Sequence, residues 1–93
     1  MIKHIVCWKL YDEASGRSKK ENAEIIRQRL LDLKTKIPVI RKIEAGINAP
    51  AASSDNYDVV LITEFDSIDD LYFYRDHPDH QAFVRFIQPL RSH

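Results

Sequence analysis

Two segments of this chain alternate as β-strands do, yet each carries apolar residues on both sides. In the first segment, Ile5 and Cys7 interrupt a row that is otherwise lysine; in the second, Val60 and Ile62 lie between acidic residues. Successive side chains of a strand point to opposite faces, so these segments predict a sheet whose two faces must both be covered. The opposite, mostly apolar rows are Ile2, His4, Val6, Trp8 and Leu10, and Tyr57, Val59, Leu61, Thr63 and Phe65.

A helix is predicted after the first strand. Ser18 and Glu21 have the spacing of a capping box, in which each side chain bonds the free backbone N–H of the other residue. The apolar stripe that follows has spacings of three and four residues, and Pro38 ends it. The stripe consists of Ala23, Ile26, Leu30, Leu33 and Ile37.

Two shorter helices are predicted further along the chain. Ser67 and Asp70 repeat the capping pattern at the start of a helix that ends near Asp76. Pro78 suits the first position of another helix, whose end Pro89 marks. The buried stripe of this last helix is Phe83, Phe86, Ile87 and Leu90.

The predicted order is strand (2–10), helix, strand (39–47), strand (57–66) and a pair of helices. This order is most of the split βαβ layout, so the predicted fold class is α+β, a ferredoxin-like unit with an antiparallel sheet. A closing C-terminal strand is expected after the last helix, but no strand pattern follows it. The Ala/Pro/Ser-rich patch at 48–55 is predicted to be a mobile loop.

Helices can cover one face of this sheet, and the second apolar face needs another cover. An identical sheet from a second copy is the simplest cover, because a two-fold interface needs only one self-complementary patch. We therefore predict a homodimer packed sheet to sheet. The alternative is that the apolar residues of this face are half-exposed aliphatic side chains, which proteins tolerate singly.

Composition limits the classes of partner. The 93 residues fit one domain, residues 1–93, and 14 basic residues balance 14 acidic ones, which argues against nucleic acid or an anionic membrane as a partner. No apolar run approaches the length of a membrane span. The lone Cys7 and the lack of a signal sequence predict a cytoplasmic protein.

Titratable side chains gather near the break between the two short helices. The segment Tyr72 to His80 holds two phenols and two imidazoles, and His4 lies in an otherwise apolar strand row. Imidazole titrates at about pH 6.5 and phenol at about pH 10, so Tyr74 and His80 are candidates for a proton-transfer pair. The alternatives are that His4 is a core histidine with one hydrogen bond, and that His77 only caps the helix begun by Pro78.

Other kinds of site are not supported. The histidines lack the spacing and the additional ligands of a zinc site, so no metal is predicted. Cys7 is expected to face the partner sheet as an inert small apolar residue. With Gly16 and Gly46 as the only glycines, no phosphate-binding loop is present, and no cofactor is predicted.

Together, these segments resemble the stress-responsive dimeric α/β-barrel (Dabb) family. The resemblance is carried by residues 2–10, Ile37-Pro38, the strand from Tyr57 to Phe65 and the motif His77-Pro78-x-His80, and it covers nearly the whole chain. It implies ferredoxin-like subunits whose two sheets pack into a barrel, with a cavity between each sheet and its helices. The family pattern continues into a closing edge strand, and this chain departs from it there.

The family includes stress-induced plant proteins without a settled activity and polyketide cyclases that need no cofactor. In the cyclases a tyrosine and a histidine carry out the reaction, and the resemblance implies Tyr74 and His80 for these roles, with His4 at the pocket. The bulk of Trp8 on the cavity side predicts a small ligand. The residues expected to contact that ligand are Val6, Trp8, Ile26, Leu30, Leu61 and Phe83.

Two functions follow from this reading. One is a protein that binds a small apolar or phenolic ligand and carries out cofactor-free proton transfer, as a cyclase, lyase or isomerase does. In it His80 is the general base, Tyr74 holds the oxyanion and His4 orients the ligand or relays the proton. The alternative is a noncatalytic homodimer with a structural or stress-protective role.

Overall fold

The computed structural model describes residues 1–48 and 57–93. The strands, helices and their order match the prediction, with one small hairpin in addition. Apart from Asn48, the patch predicted to be a mobile loop lies outside the described residues. The elements are β1 (Ile2–Trp8), β2 (Glu13–Ala14), β3 (Arg17–Ser18), α1 (Lys19–Lys36), β4 (Lys42–Ile47), β5 (Val59–Phe65), α2 (Ile68–Asp76) and α3 (Pro78–Ile87).

The main sheet has three antiparallel strands in the order β1, β5, β4, with β5 in the centre. The register pairs His4 with Thr63, and Ile5 with Ile62. Thr63 and Ile62 of β5 also pair with residues of β4. Each face of the sheet is therefore continuous across the three strands. This arrangement confirms the predicted antiparallel, ferredoxin-like α+β fold.

The predicted capping residues begin the helices. The Ser18 hydroxyl accepts a hydrogen bond from the Glu21 backbone N–H at 3.2 Å, and the Glu21 carboxylate accepts one from the Ser18 N–H at 3.2 Å. The Ser67 hydroxyl accepts from the Asp70 N–H at 3.2 Å at the start of α2. These bonds satisfy donors that the first turn of a helix leaves free.

The hairpin of β2 and β3 is the element that the sequence analysis did not predict. Ser15 and Gly16 both have positive φ, 55° and 76°, which is the conformation of a two-residue hairpin loop. The buried Asn22 amide of α1 holds the hairpin: it accepts from Arg17 Nε at 2.8 Å and donates to the Ala14 carbonyl at 3.1 Å. Strands of two residues show no alternation, so the sequence pattern could not indicate them.

All three strands of the main sheet are shorter than predicted, and for β1 and β4 side-chain and turn hydrogen bonds outside the ladder account for the difference. The Leu10 N–H donates to the Asp58 carboxylate at 2.8 Å, and the Asp58 N–H donates to the Trp8 carbonyl at 2.8 Å. These bonds end β1 at Trp8. Before β4, the Ile40 N–H donates to the Ile37 carbonyl at 3.2 Å, and this turn delays the start of the strand.

No strand follows α3 in the part of the chain that the structure describes. Instead, the segment after α3 runs beside the continuation of β1. Leu10 and Arg91 form one antiparallel bridge, the Tyr11 N–H donates to the Leu90 carbonyl at 3.1 Å, and the Ser92 N–H donates to the Lys9 carbonyl at 2.7 Å. These bonds hold Arg91 beside the open edge of β1.

The sheet has an inner face, which the helices cover, and an outer face, which they leave open. Ile26, Leu30 and Phe65 are fully buried in the core against the inner face. On the outer face, Ile5 is 58% exposed in the single chain, and its neighbours Cys7, Val60 and Ile62 are half-buried. The predicted apolar residues of the second face are therefore present, and no helix or strand of residues 1–48 and 57–93 covers them.

Candidate functional site

A cavity of about 220 Å³ lies between the inner face of the sheet and the helices α2 and α3. Strands β1 and β5 form its floor, and α3 with the end of α2 forms its roof. The lining contains all three predicted catalytic residues. The lining residues are His4, Val6, Trp8, Leu61, Tyr74, His80, Phe83, Val84, Ile87 and Arg91.

Tyr74 enters the cavity from the last turns of α2 and is almost fully buried. Its ring packs against Phe65 at 5.1 Å and against the His80 ring at 4.3 Å between centroids. Burial raises the pKa of the Tyr74 phenol to about 12, so the hydroxyl stays protonated at neutral pH. It forms no hydrogen bond with the described residues and is therefore a donor with no partner in this part of the chain.

His80 is held by the break between α2 and α3. Pro78 has no backbone N–H to donate, and a new helix begins there. The Arg75 carbonyl oxygen at the end of α2 is therefore free to accept hydrogen bonds from side chains. His80 Nδ1 lies 2.9 Å from this carbonyl oxygen. Because a carbonyl oxygen only accepts, Nδ1 carries the hydrogen, and the Nε2 lone pair of the neutral ring is left to take a proton.

Burial lowers the pKa of His80, and the nearby His4 lowers it further, while the Arg75 carbonyl acts in the opposite direction. The ring is therefore neutral at neutral pH, which is the form that a general base requires. The Tyr74 phenol beside it supplies a hydrogen-bond donor. The pair thus combines a base with an acidic O–H that can hold a developing oxyanion.

His4 lies in the middle of β1 on the inner face, and its Nδ1 atom is buried without a hydrogen-bond partner. The alternative of a core histidine with one satisfied bond is not what the structure shows for this nitrogen. A buried polar atom without a partner costs about 1–3 kcal/mol, and such atoms are rare in folded proteins. His4 is also one of the residues that line the cavity.

His77 is not a lining residue of the cavity. Its Nδ1 accepts a hydrogen bond from the Asp79 backbone N–H at 3.1 Å, which caps the start of α3. The prediction that His77 caps the helix begun by Pro78 is confirmed. The Asp79 carboxylate lies 3.7 Å from the same nitrogen.

The predicted ligand contacts divide into two groups. Val6, Trp8, Leu61 and Phe83 line the cavity, and the Trp8 and Phe83 rings meet edge to face at 6.0 Å. Ile26 and Leu30 do not line it, because their side chains are fully buried in the core beneath α1.

Three lining residues were not among the predicted ligand contacts, although one of them, Ile87, belongs to the predicted buried stripe of the last helix. They continue the helical spacing of His80 and Phe83 along one side of α3 and beyond it, and this spacing was the signal that could have found them. The residues are Val84, Ile87 and Arg91.

Among residues 1–48 and 57–93, no group of three or more His, Cys, Asp or Glu side chains is placed to hold a metal ion. Cys7 lies on the outer face, away from the cavity. None of the described helices is both long enough and apolar enough to cross a membrane.

Comparisons with known proteins relate the chain to one family. The family model for the stress responsive A/B barrel (Dabb) domain matches residues 2–93. A protein of unknown function from Bacteroides fragilis, described as dimeric and ferredoxin-like, is 34% identical, with a TM-score of 0.83 over 98% of this chain and 86% of that chain. A dimeric ferredoxin-like protein of unknown function from Thermobifida fusca is 26% identical, with a TM-score of 0.79 over 98% and 81%.

The hydroxynitrile lyase from Passiflora edulis has the same fold, with 20% identity and a TM-score of 0.77 over 98% of this chain and 83% of that chain. The search of curated proteins gave no match. A family match over nearly the whole sequence, together with a relative at 34% identity, establishes the family. The chain belongs to the stress responsive A/B barrel (Dabb) domain family.

Proposed function

We propose that this protein is a homodimer that binds a small apolar or phenolic ligand in the cavity and transfers protons on it without a cofactor. The observation that carries the proposal is the contact of the Tyr74 and His80 rings, 4.3 Å apart, in the lining of a cavity where His4 Nδ1 has no partner. A buried donor, a neutral imidazole and an unpaired nitrogen are the parts that acid–base chemistry requires.

In the proposed reaction, His80 Nε2 takes the proton from an acidic C–H or O–H of the ligand. The electron pair left behind moves onto an oxygen of the ligand, and the Tyr74 hydroxyl donates a hydrogen bond to that oxyanion. His4 orients the ligand or relays the proton. The proton on His80 then returns to another atom of the ligand, so the protein leaves the cycle unchanged.

The size and walls of the cavity support a small ligand. A volume of about 220 Å³ holds a single substituted ring, and Val6, Leu61 and Phe83 give it apolar walls. A hydroxynitrile lyase has the same fold. At 20% identity it supports the fold alone, so a cyanohydrin is used below only as one class of probe.

The outer face supports the proposed homodimer. Ile5 pairs with Ile62, and Cys7 with Val60, so the apolar side chains form one patch across two strands. Next to this patch, Lys42 bonds Glu44 at 3.3 Å and approaches Glu64 at 4.0 Å. A sheet from a second copy would cover the patch, and the two relatives described above as dimeric have the same fold.

The second candidate is a noncatalytic homodimer with a structural or stress-protective role. It is favoured by the packing around the cavity, where Tyr74 is 2% exposed and Trp8 is 7% exposed. In this case Tyr74 and His80 would stabilise the joint between α2 and α3, and the cavity would be a packing defect.

The experiment that separates the two candidates is a binding screen followed by proton exchange. We expect at least one of a set of small phenols, β-dicarbonyl compounds and mandelonitrile to raise the melting temperature, because a ligand stabilises the state that binds it. Acetophenone then serves as a slow proton donor: deuterium entry at its methyl group is followed by NMR in D₂O. We expect His80→Ala and Tyr74→Phe to slow the exchange at least about tenfold.

The control is His93→Ala, since His93 is exposed and does not line the cavity. It is expected to leave ligand binding and exchange unchanged. If no probe shifts the melting temperature and His80→Ala lowers the stability of the fold, the noncatalytic role is correct.

A further inference from the structure

The polar groups of the cavity all belong to side chains that can donate hydrogen bonds. Five of the lining residues carry them: His4, Trp8, Tyr74, His80 and Arg91. None of the described lining residues is Asp or Glu. The described lining therefore offers several donors and one permanent positive charge, but no negative charge.

These donors have few partners within the described part of the chain. The Arg91 guanidinium forms no ion pair there, although Arg41 and Arg75 are both paired with aspartates. His4 Nδ1 is buried and has no partner. An arginine at the edge of this cavity is suited to bind a carboxylate, because a carboxylate can accept two parallel hydrogen bonds from a guanidinium.

The Asp76 carboxylate lies near His80, but it already forms an ion pair with Arg75. Asp76 acts on the charge of His80 from the end of α2. Its two carboxylate oxygens accept from Arg75 Nε at 2.9 Å and Arg75 Nη2 at 3.2 Å. Asp76 is also absent from the lining of the cavity, so it does not repel an anion bound there.

The position of Arg91 fits the edge of the cavity. Its side chain is exposed, its backbone N–H donates to the Ile87 carbonyl at 3.1 Å, and it bridges to Leu10. The backbone of Arg91 is therefore fixed while its side chain faces solvent beside the apolar lining. An anion there can stay partly hydrated while its apolar body enters the cavity, so full desolvation of its charge is avoided.

We infer that the cavity selects small apolar carboxylates over neutral compounds of the same shape, and that Arg91 holds the carboxylate. This inference rests on the proposed function, because it names the class of ligand that the same cavity binds. The apolar body of the ligand lies against Val6, Leu61 and Phe83. Arg91 is then a residue that determines specificity, and it takes no part in the transfer of the proton.

The test compares benzoate with benzamide, which have the same ring and nearly the same shape but differ in charge. Each is titrated into ¹⁵N-labelled protein at pH 7.5, and the dissociation constants are read from shifts of the cavity resonances. We expect wild-type protein to bind benzoate about tenfold more tightly than benzamide, as a hydrogen bond to a charged group allows. Arg91→Gln is expected to reduce the ratio to near one by weakening benzoate binding alone.

Arg85→Gln is the matched control, because Arg85 is an exposed arginine of α3 that does not line the cavity. It removes the same charge and is expected to keep the tenfold ratio. Arg91→Lys keeps the positive charge and is expected to restore part of the preference for benzoate. Added salt should lower the preference in wild-type protein, since the side chain is exposed.

The possible results separate this inference from the proposed function. If benzamide binds in the cavity as tightly as benzoate, or if Arg91→Gln keeps the tenfold ratio, the inference is wrong and the proposed function stands. If neither compound shifts a cavity resonance while the protein is folded, the inference is wrong, and the binding screen described above decides the proposed function separately.

Discussion

The inner face of the sheet is packed in two different ways along its width. Under α1, the apolar side chains fill the space: Ile26 and Leu30 are fully buried and do not line the candidate cavity. Under α2 and α3, the same sheet leaves a cavity of about 220 Å³. We call these regions the α1 half and the cavity half. One layer of strands therefore supports a close-packed core and an open site side by side.

The buried polar groups differ in the same way. In the α1 half, Asn22 is buried, and its amide group bonds Arg17 and Ala14. In the cavity half, Nδ1 of His4 is buried without a partner. The described buried amide of the α1 half is therefore satisfied, whereas a buried nitrogen beside the candidate catalytic pair is not. This contrast supports placing the proposed site in the cavity half.

The largest effect is expected from removing packing in the α1 half. Leu30→Ala leaves a cavity in a filled core and should cost about 2–5 kcal/mol of unfolding free energy. Val84→Ala, in the lining of the cavity and only half-buried, should cost less than about 1 kcal/mol. Both are measured by denaturant unfolding at one protein concentration, because the stability of the proposed homodimer would depend on concentration. Equal losses at the two positions would contradict the contrast in packing.

A smaller loss is expected from Asn22→Leu. The change removes the amide that bonds the Arg17 side chain and the Ala14 carbonyl, and it leaves these groups without their partner. The expected cost is about 1–3 kcal/mol, measured by the same unfolding method. Hydrogen exchange at the amides of the β2–β3 hairpin should rise, because Asn22 is what ties the hairpin to α1. Unchanged exchange in the hairpin would show that the amide has no such role.

His4→Leu is the matched substitution in the cavity half. It removes a buried nitrogen that has no partner, so we expect no loss of stability or a gain of up to about 1 kcal/mol. The same variant should lose affinity for the best ligand of the binding screen. A loss of stability as large as that of Asn22→Leu would mean that His4 is a structural residue of the core.

Much of this fold could be predicted from the sequence because local signals agreed with the packing. The capping pairs at Ser18 and Ser67 begin α1 and α2, and Pro78 begins α3. The bounds of β1 could not be predicted, because the ladder is ended by a hydrogen bond from Leu10 to Asp58, which lies 48 residues away. Local patterns do not contain such long-range bonds.

The candidate site was predictable in part for the same reason. His4, Tyr74 and His80 stood out as polar side chains in apolar or broken segments, and the structure brings them to one cavity. Arg91 did not stand out, because it lies beyond the end of α3, where the backbone bridge to Leu10 holds it beside the cavity, and the helical spacing from His80 was not followed that far. Ile26 and Leu30 were expected at the ligand because an apolar stripe does not tell a cavity wall from a filled core.

The smallest effect concerns the pH dependence of stability, and it arises in the cavity half. Burial lowers the pKa of His80 below its ordinary value of 6.5. As the pH falls below 6.5, the unfolded chain therefore binds a proton at this residue before the folded chain does. Stability therefore rises with pH between the lowered pKa and about 6.5, and this contribution is fully present above 6.5.

Wild-type unfolding free energy, measured by denaturant titration across this window, should climb more steeply than that of His80→Gln. His93→Gln, at an exposed site, should keep the wild-type slope. Because the His80 ring is only half-buried, the difference in slope is modest, and a steeper slope in His80→Gln than in wild type would reverse the assigned direction.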